Sequence, residues 1–198
     1  MRALAVYGLE TSNNMKVRVA LGYKGLAYEF HTIDRADRTE ILRISGQHLT
    51  PVLVHGEFVL FDSSAILRYL DVAFRETPRL FGSSHGEQWE IEDWEFFART
   101  ELAGPMMEVV HRKVQGEAVD DERQARCARE FGSAVSKLAT AMDGRQWLVG
   151  DAMSAADITA AAVMKRIRSA GLFEVPSVND GFVSWEDRVM AYDGRGRA

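Results

Sequence analysis

The chain of 198 residues contains one cysteine, four prolines and no excess of basic side chains. One cysteine excludes an intramolecular disulfide framework and any Cys-rich zinc or iron–sulfur site. The longest stretch without Asp, Glu, Lys or Arg runs from Ile44 to Gly56. That is too short for the roughly 20 apolar residues a membrane-spanning helix needs. Nothing near Met1 has the form of a secretory signal, since a strand-like stretch and then Glu10 follow it. Residues 1–80 carry a net charge of +1 and residues 81–198 one of −6, together the −5 of the whole chain. With an acidic second half and no basic cluster, neither nucleic acid nor a membrane is an expected partner. The five histidines include no pair at metal-site i, i+4 spacing. What the chain does have is apolar side chains, 46% of the total, enough to bury a core and exclude disorder. The expectation is a cytoplasmic protein without a bound metal.

Two kinds of periodicity divide the chain. Leu4 to Tyr7 is a short apolar run ending at Gly8, the mark of a buried strand. Val17, Ala20 and Leu21 fall at helical spacing before Gly25, and Tyr28 to Ile33 alternates with period two. Arg38 to Ile44 reads as a weak helix. Val52–Val54 and Phe58–Phe61 flank His55-Gly56-Glu57, a hairpin signal. Asp62-Ser63-Ser64 then opens a helix with Ile66, Leu70 and Ala73 on one face. This predicts an α/β domain of order β-α-β-α-β-β-α over 1–77, a linker over 78–86 and an all-α domain over 87–198. In the helical part, Cys127, Phe131, Val135, Leu138 and Met142 form one stripe and Ala160, Val163, Met164 and Ile167 another. Ser154 and Asp157 have capping-box spacing.

Each feature that suggests chemistry also has a plainer reading. Pro51 lacks a ladder donor and suits the start of an edge strand, whereas a cis Thr50–Pro51 bond would present the Thr50 backbone to an extended peptide. One cap needs one residue, yet three are present in Asp62-Ser63-Ser64, and free N–H groups at a helix start also suit a carboxylate. Thr11, Ser12, Asn13 and Asn14 are ordinary loop residues, but they follow a strand at the carboxyl edge, where α/β sheets bind ligands. The predicted topology brings all three features to one edge.

These segments together resemble the glutathione transferase superfamily over nearly the whole chain. Val6-Tyr7-Gly8 through Ser12 and Lys16 to Glu29 are similar to the family's opening strand and helix. Thr50-Pro51-Val52-Leu53 is similar to its cis-proline segment, and Asp62-Ser63-Ser64 to its Glu/Asp-Ser helix start. Trp147 to Asp151 with Ser154 to Ile158 resembles its buried capping box, and Trp185 and Arg188 fit its closing helix.

The resemblance implies a thioredoxin-like N-terminal domain that binds glutathione and a helical domain that builds the second-substrate pocket. It carries over Asp62 and Ser63 as ligands of the γ-glutamyl end, Thr50 with Pro51 as the strand against the cysteinyl part, and Gln47 as a further contact. Ser12 stands at or beside the catalytic serine, with Thr11 and Asn13 as alternatives. Met106, Met107 and His111 are candidates for lining the second pocket, although residues at such spacing also build cores. The implied activity is conjugation of the glutathione thiolate to a small, apolar electrophile by a homodimer, with glutathione as co-substrate and no metal. Two other readings stay open: a non-catalytic binding or regulatory protein, and a glutathione-dependent isomerase. Cys127 falls on an apolar helical stripe, so the reactive sulfur is expected to arrive on glutathione.

Overall fold

The computed structural model describes residues 3–176 and 180–194. Residues 177–179 and 195–198 of the predicted helical domain lie outside them. The first part runs β1 (Leu4–Gly8), α1 (Ser12–Tyr23), β2 (Tyr28–Thr32), α2 (Thr39–Ser45), β3 (Val52–His55), β4 (Phe58–Leu60) and α3 (Ser63–Ala73). This is the predicted order. The sheet is ordered β2-β1-β3-β4, with β1 and β2 parallel and the other two pairings antiparallel. A helix separates β1 from β2 and a tight turn joins β3 to β4, as parallel and antiparallel pairing respectively require.

Side chains alternate across the sheet. Leu4, Val6 and Leu53 pack with α1 and α3 in the main core, while Tyr7, Val52 and Val54 meet Ile33 and Ile41 on the α2 side. Helix α1 has no single apolar face: Met15, Val17, Val19, Ala20 and Leu21 are all buried, and so are Lys16 and Arg18. On α3 the buried face holds Ile66, Leu67, Leu70 and Asp71, whereas Ala73 is exposed.

The second part comprises α4 (His85–Phe97), a π-helical turn (Ala98–Leu102), α5 (Gly104–Val114), α6 (Asp121–Ala141), α7 (Ala155–Ala170) and α8 (Asp180–Met190). Helix α4 starts two residues before the predicted position because Ser84 and Glu87 form a reciprocal capping box. The predicted stripe of α6 is buried, and α7 is buried on nearly all sides. One hydrophobic cluster runs through α1, α3 and these helices without interruption.

Two buried carboxylates fasten this arrangement. Asp71 accepts from Lys24 Nζ at 3.2 Å, Arg79 Nε at 3.1 Å and the Leu80 amide at 2.8 Å, fixing the path out of α3. Asp157 accepts from Ser154 N at 3.0 Å, Ser154 Oγ at 2.8 Å, Leu148 N at 2.9 Å and Trp185 Nε1 at 2.8 Å. Burial pushes its carboxyl above the usual carboxylate value, against the pull of these donors. Trp185 of α8, the capping box of α7 and the Leu148 loop therefore meet at one carboxylate.

Candidate functional site

The start of α1 and the start of α3 come together at the edge of the second part. Ser12, Asn13, Lys16, Asp62, Ser63 and Ser64 line a cavity of about 210 Å³, closed from the other side by Arg99, Met106, Met107, Thr159 and Val163, among others. The first-turn amides of a helix have no partner within it, and its dipole is positive at that end. Two such ends therefore border one cavity.

The three hydroxyl and amide candidates of the first loop differ in commitment. Thr11 Oγ1 accepts from Asn14 Nδ2 at 2.7 Å, and Asn13 Oδ1 accepts from Ser63 Oγ at 3.4 Å. Ser12 is 9% exposed and its hydroxyl makes no hydrogen bond within the described residues. Ser12 is thus the one member of the trio on the cavity wall whose side chain is uncommitted. Tyr7 stacks on His31 with ring centroids 4.6 Å apart, on the α2 side of the sheet.

Asn14 was not singled out from sequence, and it ties the loop to Thr50. Fully buried, it donates to Thr11 Oγ1 and, at 3.2 Å, to Thr50 Oγ1. The Thr50–Pro51 peptide is cis. Gly8 leaves room for the Asn14 amide: a Cβ there would lie 1.8 Å from Asn14 Oδ1.

At α3, Asp62 caps its own helix by accepting from the Ala65 amide at 2.8 Å, so the plainer reading accounts for one of its oxygens. Ser64 accepts from Lys16 Nζ at 2.9 Å and donates to Glu95 Oε1 at 2.8 Å, while Lys16 reaches the same oxygen at 2.7 Å. Burial pushes the Lys16 ammonium below its ordinary value despite Glu95. Burial also pushes the Glu95 carboxyl up, but the Lys16 charge and the hydrogen bonds from Lys16 and Ser64 hold it below its ordinary value.

Several predicted residues stand apart. The Gln47 amide is spent on its own loop, donating to Ser45 Oγ at 2.8 Å and to Leu49 O at 3.0 Å and accepting from the Leu49 amide. Thr50 and Pro51 do not line the cavity, and Asn14 ties Thr50 to Thr11 in the loop beside it. Met106 is buried and Met107 partly exposed, and both line the cavity; His111 is exposed and does not. Among the described residues no cluster of three or more His, Cys, Asp or Glu could hold a metal. No helix among them is long and apolar enough to cross a membrane.

Known proteins are similar to this chain in sequence and in fold. The family model described as "Glutathione S-transferase, N-terminal domain" matches residues 6–78, and that for the C-terminal domain matches residues 97–191. Glutathione S-transferase F10 of Arabidopsis thaliana is 24% identical over 164 residues, covering 78% of this chain and 76% of that one. A "Probable maleylacetoacetate isomerase" of Vibrio cholerae is 32% identical over 99 residues, 46% of each chain. The solved glutathione S-transferase of Rhodospirillum rubrum F11 superposes with a TM-score of 0.77 at 26% identity, covering 95% of this chain and 86% of that one.

Proposed function

The chain belongs to the glutathione S-transferase superfamily, and from that membership we propose that it conjugates glutathione to small electrophiles, with Ser12 supporting the thiolate. The observation that carries this reading is the uncommitted Ser12 hydroxyl facing the same cavity as the Asp62–Ser63 helix start. In this reading the Asp62 carboxylate takes the ammonium of the γ-glutamyl group and the free amides of Ser63 and Ser64 take its carboxylate. Thr50, held by Asn14, lies against the cysteinyl part. Gln47 serves by shaping the loop before Thr50.

A thiol with pKa near 8.5 is mostly protonated at neutral pH, and the thiolate is the nucleophile. Lowering that pKa by about two units takes roughly 2.7 kcal/mol of preference for the charged form. A hydrogen bond to a charged group supplies about 1.5–3 kcal/mol and a helix terminus about 0.3–1 kcal/mol. Ser12 and the first turn of α1 therefore suffice together. The thiol proton leaves to solvent, the sulfur bonds the electrophilic carbon, and the leaving group departs with the electron pair.

The reading includes a cytoplasmic homodimer. Large apolar side chains at Leu49, Phe58, Trp89 and Phe96 are exposed, and a second copy of this chain would cover them. Isomerisation through the same thiolate is the second reading, favoured by the similarity to the isomerase-named relative. Calorimetric titration with glutathione, paired with turnover of an aryl halide and of a cis-alkene diacid, separates these cases. A transferase binds glutathione at millimolar concentration and converts the halide. Binding without turnover of either leaves a carrier, and no binding contradicts the whole reading.

A further inference from the structure

Two groups on the second-part wall of the cavity are unused by anything above. Arg99, on the π-helical turn, is exposed and is the one cation of the cavity wall that forms no ion pair among the described residues. Lys16, the other cation, is neutralised by Glu95. Thr159 of α7 is 3% exposed, yet its hydroxyl has no hydrogen-bond partner among the described residues. Buried hydroxyls are almost always paired, because leaving one unpaired sacrifices its hydration without return. A helical threonine ordinarily bonds a carbonyl one turn back, and Thr159 does not. Among the described residues the one acidic group on the wall is Asp62, which belongs to α3 on the opposite side and already caps that helix. π-Helical turns recur at functional sites, and here one carries the unpaired cation.

We propose that Arg99 and Thr159 form an anion-recognising face that selects electrophiles bearing a carboxylate or another oxyanion. The inference rests on the transferase reading and adds an anionic end to the apolar electrophile expected from sequence: Met106, Met107 and Val163 hold the carbon skeleton while Arg99 and Thr159 hold its charged end. An anionic substrate approaching an anionic thiolate is repelled, and Arg99 offsets that repulsion where the two meet. The guanidinium donates in a fixed fork to a carboxylate, and the hydroxyl adds a second donor of different direction.

The test uses 4-chloro-3-nitrobenzoate and its methyl ester, which present one reactive aryl chloride and differ in charge. Thiolate attack forms the C–S bond and expels chloride in both. The full chain is expected to prefer the acid in kcat/KM. Arg99→Gln should lower the acid-to-ester ratio about tenfold, Thr159→Val should lower it several-fold, and Thr159→Ser should restore it. Thr159→Val should also leave the melting temperature unchanged or higher, since it removes a hydroxyl that bonds nothing among the described residues. Calorimetric affinity for the two glutathione conjugates gives the same ratio without turnover. If glutathione binds but neither substrate reacts, the transferase reading fails, and a conjugate preference lost in Arg99→Gln still upholds the anion face. An acid-to-ester ratio unchanged by Arg99→Gln, in turnover or in conjugate binding, overturns the proposal. A lowered melting temperature in Thr159→Val removes Thr159 from it.

Discussion

Lys16 of α1 and Glu95 of α4 face each other at 2.7 Å across the seam between the two parts, each about 1% exposed. Ser64 of α3 bonds both, so three helices share one buried ionic contact at the wall of the cavity. Breaking a buried pair strands a charge and costs about 3–5 kcal/mol, whereas replacing both partners with apolar residues is often neutral or stabilising. Glu95→Ala should therefore destabilise the protein by about 3–5 kcal/mol in urea unfolding. Lys16→Met with Glu95→Leu should recover most of that loss. A double variant as unstable as the single one would mean that the charges themselves hold the seam.

The same pair sets an acid limit. Glu95 has a folded-state pKa below its ordinary 4.5, so the unfolded chain binds its proton first as pH falls. Its stabilising contribution is present above about 4.5 and is lost as pH drops through the folded-state value. Glu87, held low by the amides of Ser83 and Ser84, acts in the same direction. Unfolding free energy measured from pH 7 down to pH 3 should fall below about pH 4.5, and Glu95→Gln should flatten that slope. An equal slope in the variant would assign the acid sensitivity to other carboxyls.

Asn14 joins the two loops of the proposed glutathione site, and its position can be attacked from either end. Asn14→Ala removes the links to Thr11 and Thr50. Gly8→Ala drives a methyl group into the Asn14 amide. Both should weaken glutathione binding about tenfold, the worth of one or two hydrogen bonds, as read by calorimetry. A Gly8→Ala protein that binds as wild type would show that the amide can move aside without disturbing Thr50.

Asp157 gathers donors from Leu148, Ser154 and Trp185. Asp157→Ala leaves those donors buried and unpaired, at about 1–3 kcal/mol each before relaxation. The expected loss is at least about 3 kcal/mol in urea unfolding, with glutathione affinity of the folded fraction retained. A reduced affinity at full folding would instead connect this carboxylate to the site.

Local chemistry made much of the fold legible. The order of strands and helices followed from alternation, the glycine turn at His55-Gly56-Glu57 and the caps at Asp62 and Ser154, each readable within a few residues. The groups that sequence did not disclose depend on distant partners. Lys16 looks like a solvent-facing helix residue until Glu95, 79 positions later, is brought against it. A signal was present: Met15, Val17, Val19, Ala20 and Leu21 point in too many directions for a helix with one exposed face, so Lys16 between them had to be buried. Asn14 was one of four similar loop residues, and only folding separates it from Ser12. Arg99 and Thr159 carry no motif. Among the described residues one lacks an ion pair and the other a hydrogen bond, which only the folded chain reveals.

Whether Ser12 holds the thiolate of bound glutathione is decided by an ultraviolet thiolate titration of glutathione bound to wild type and to Ser12→Ala. In wild type the bound thiol should titrate well below its ordinary value near 8.5, by about two units. In Ser12→Ala glutathione should still bind, and the thiol pKa should rise by about one unit or more, the loss of one hydrogen bond to a charged group. A bound-thiol pKa identical in the two proteins would exclude Ser12 from that role and move it to Thr11 or Asn13.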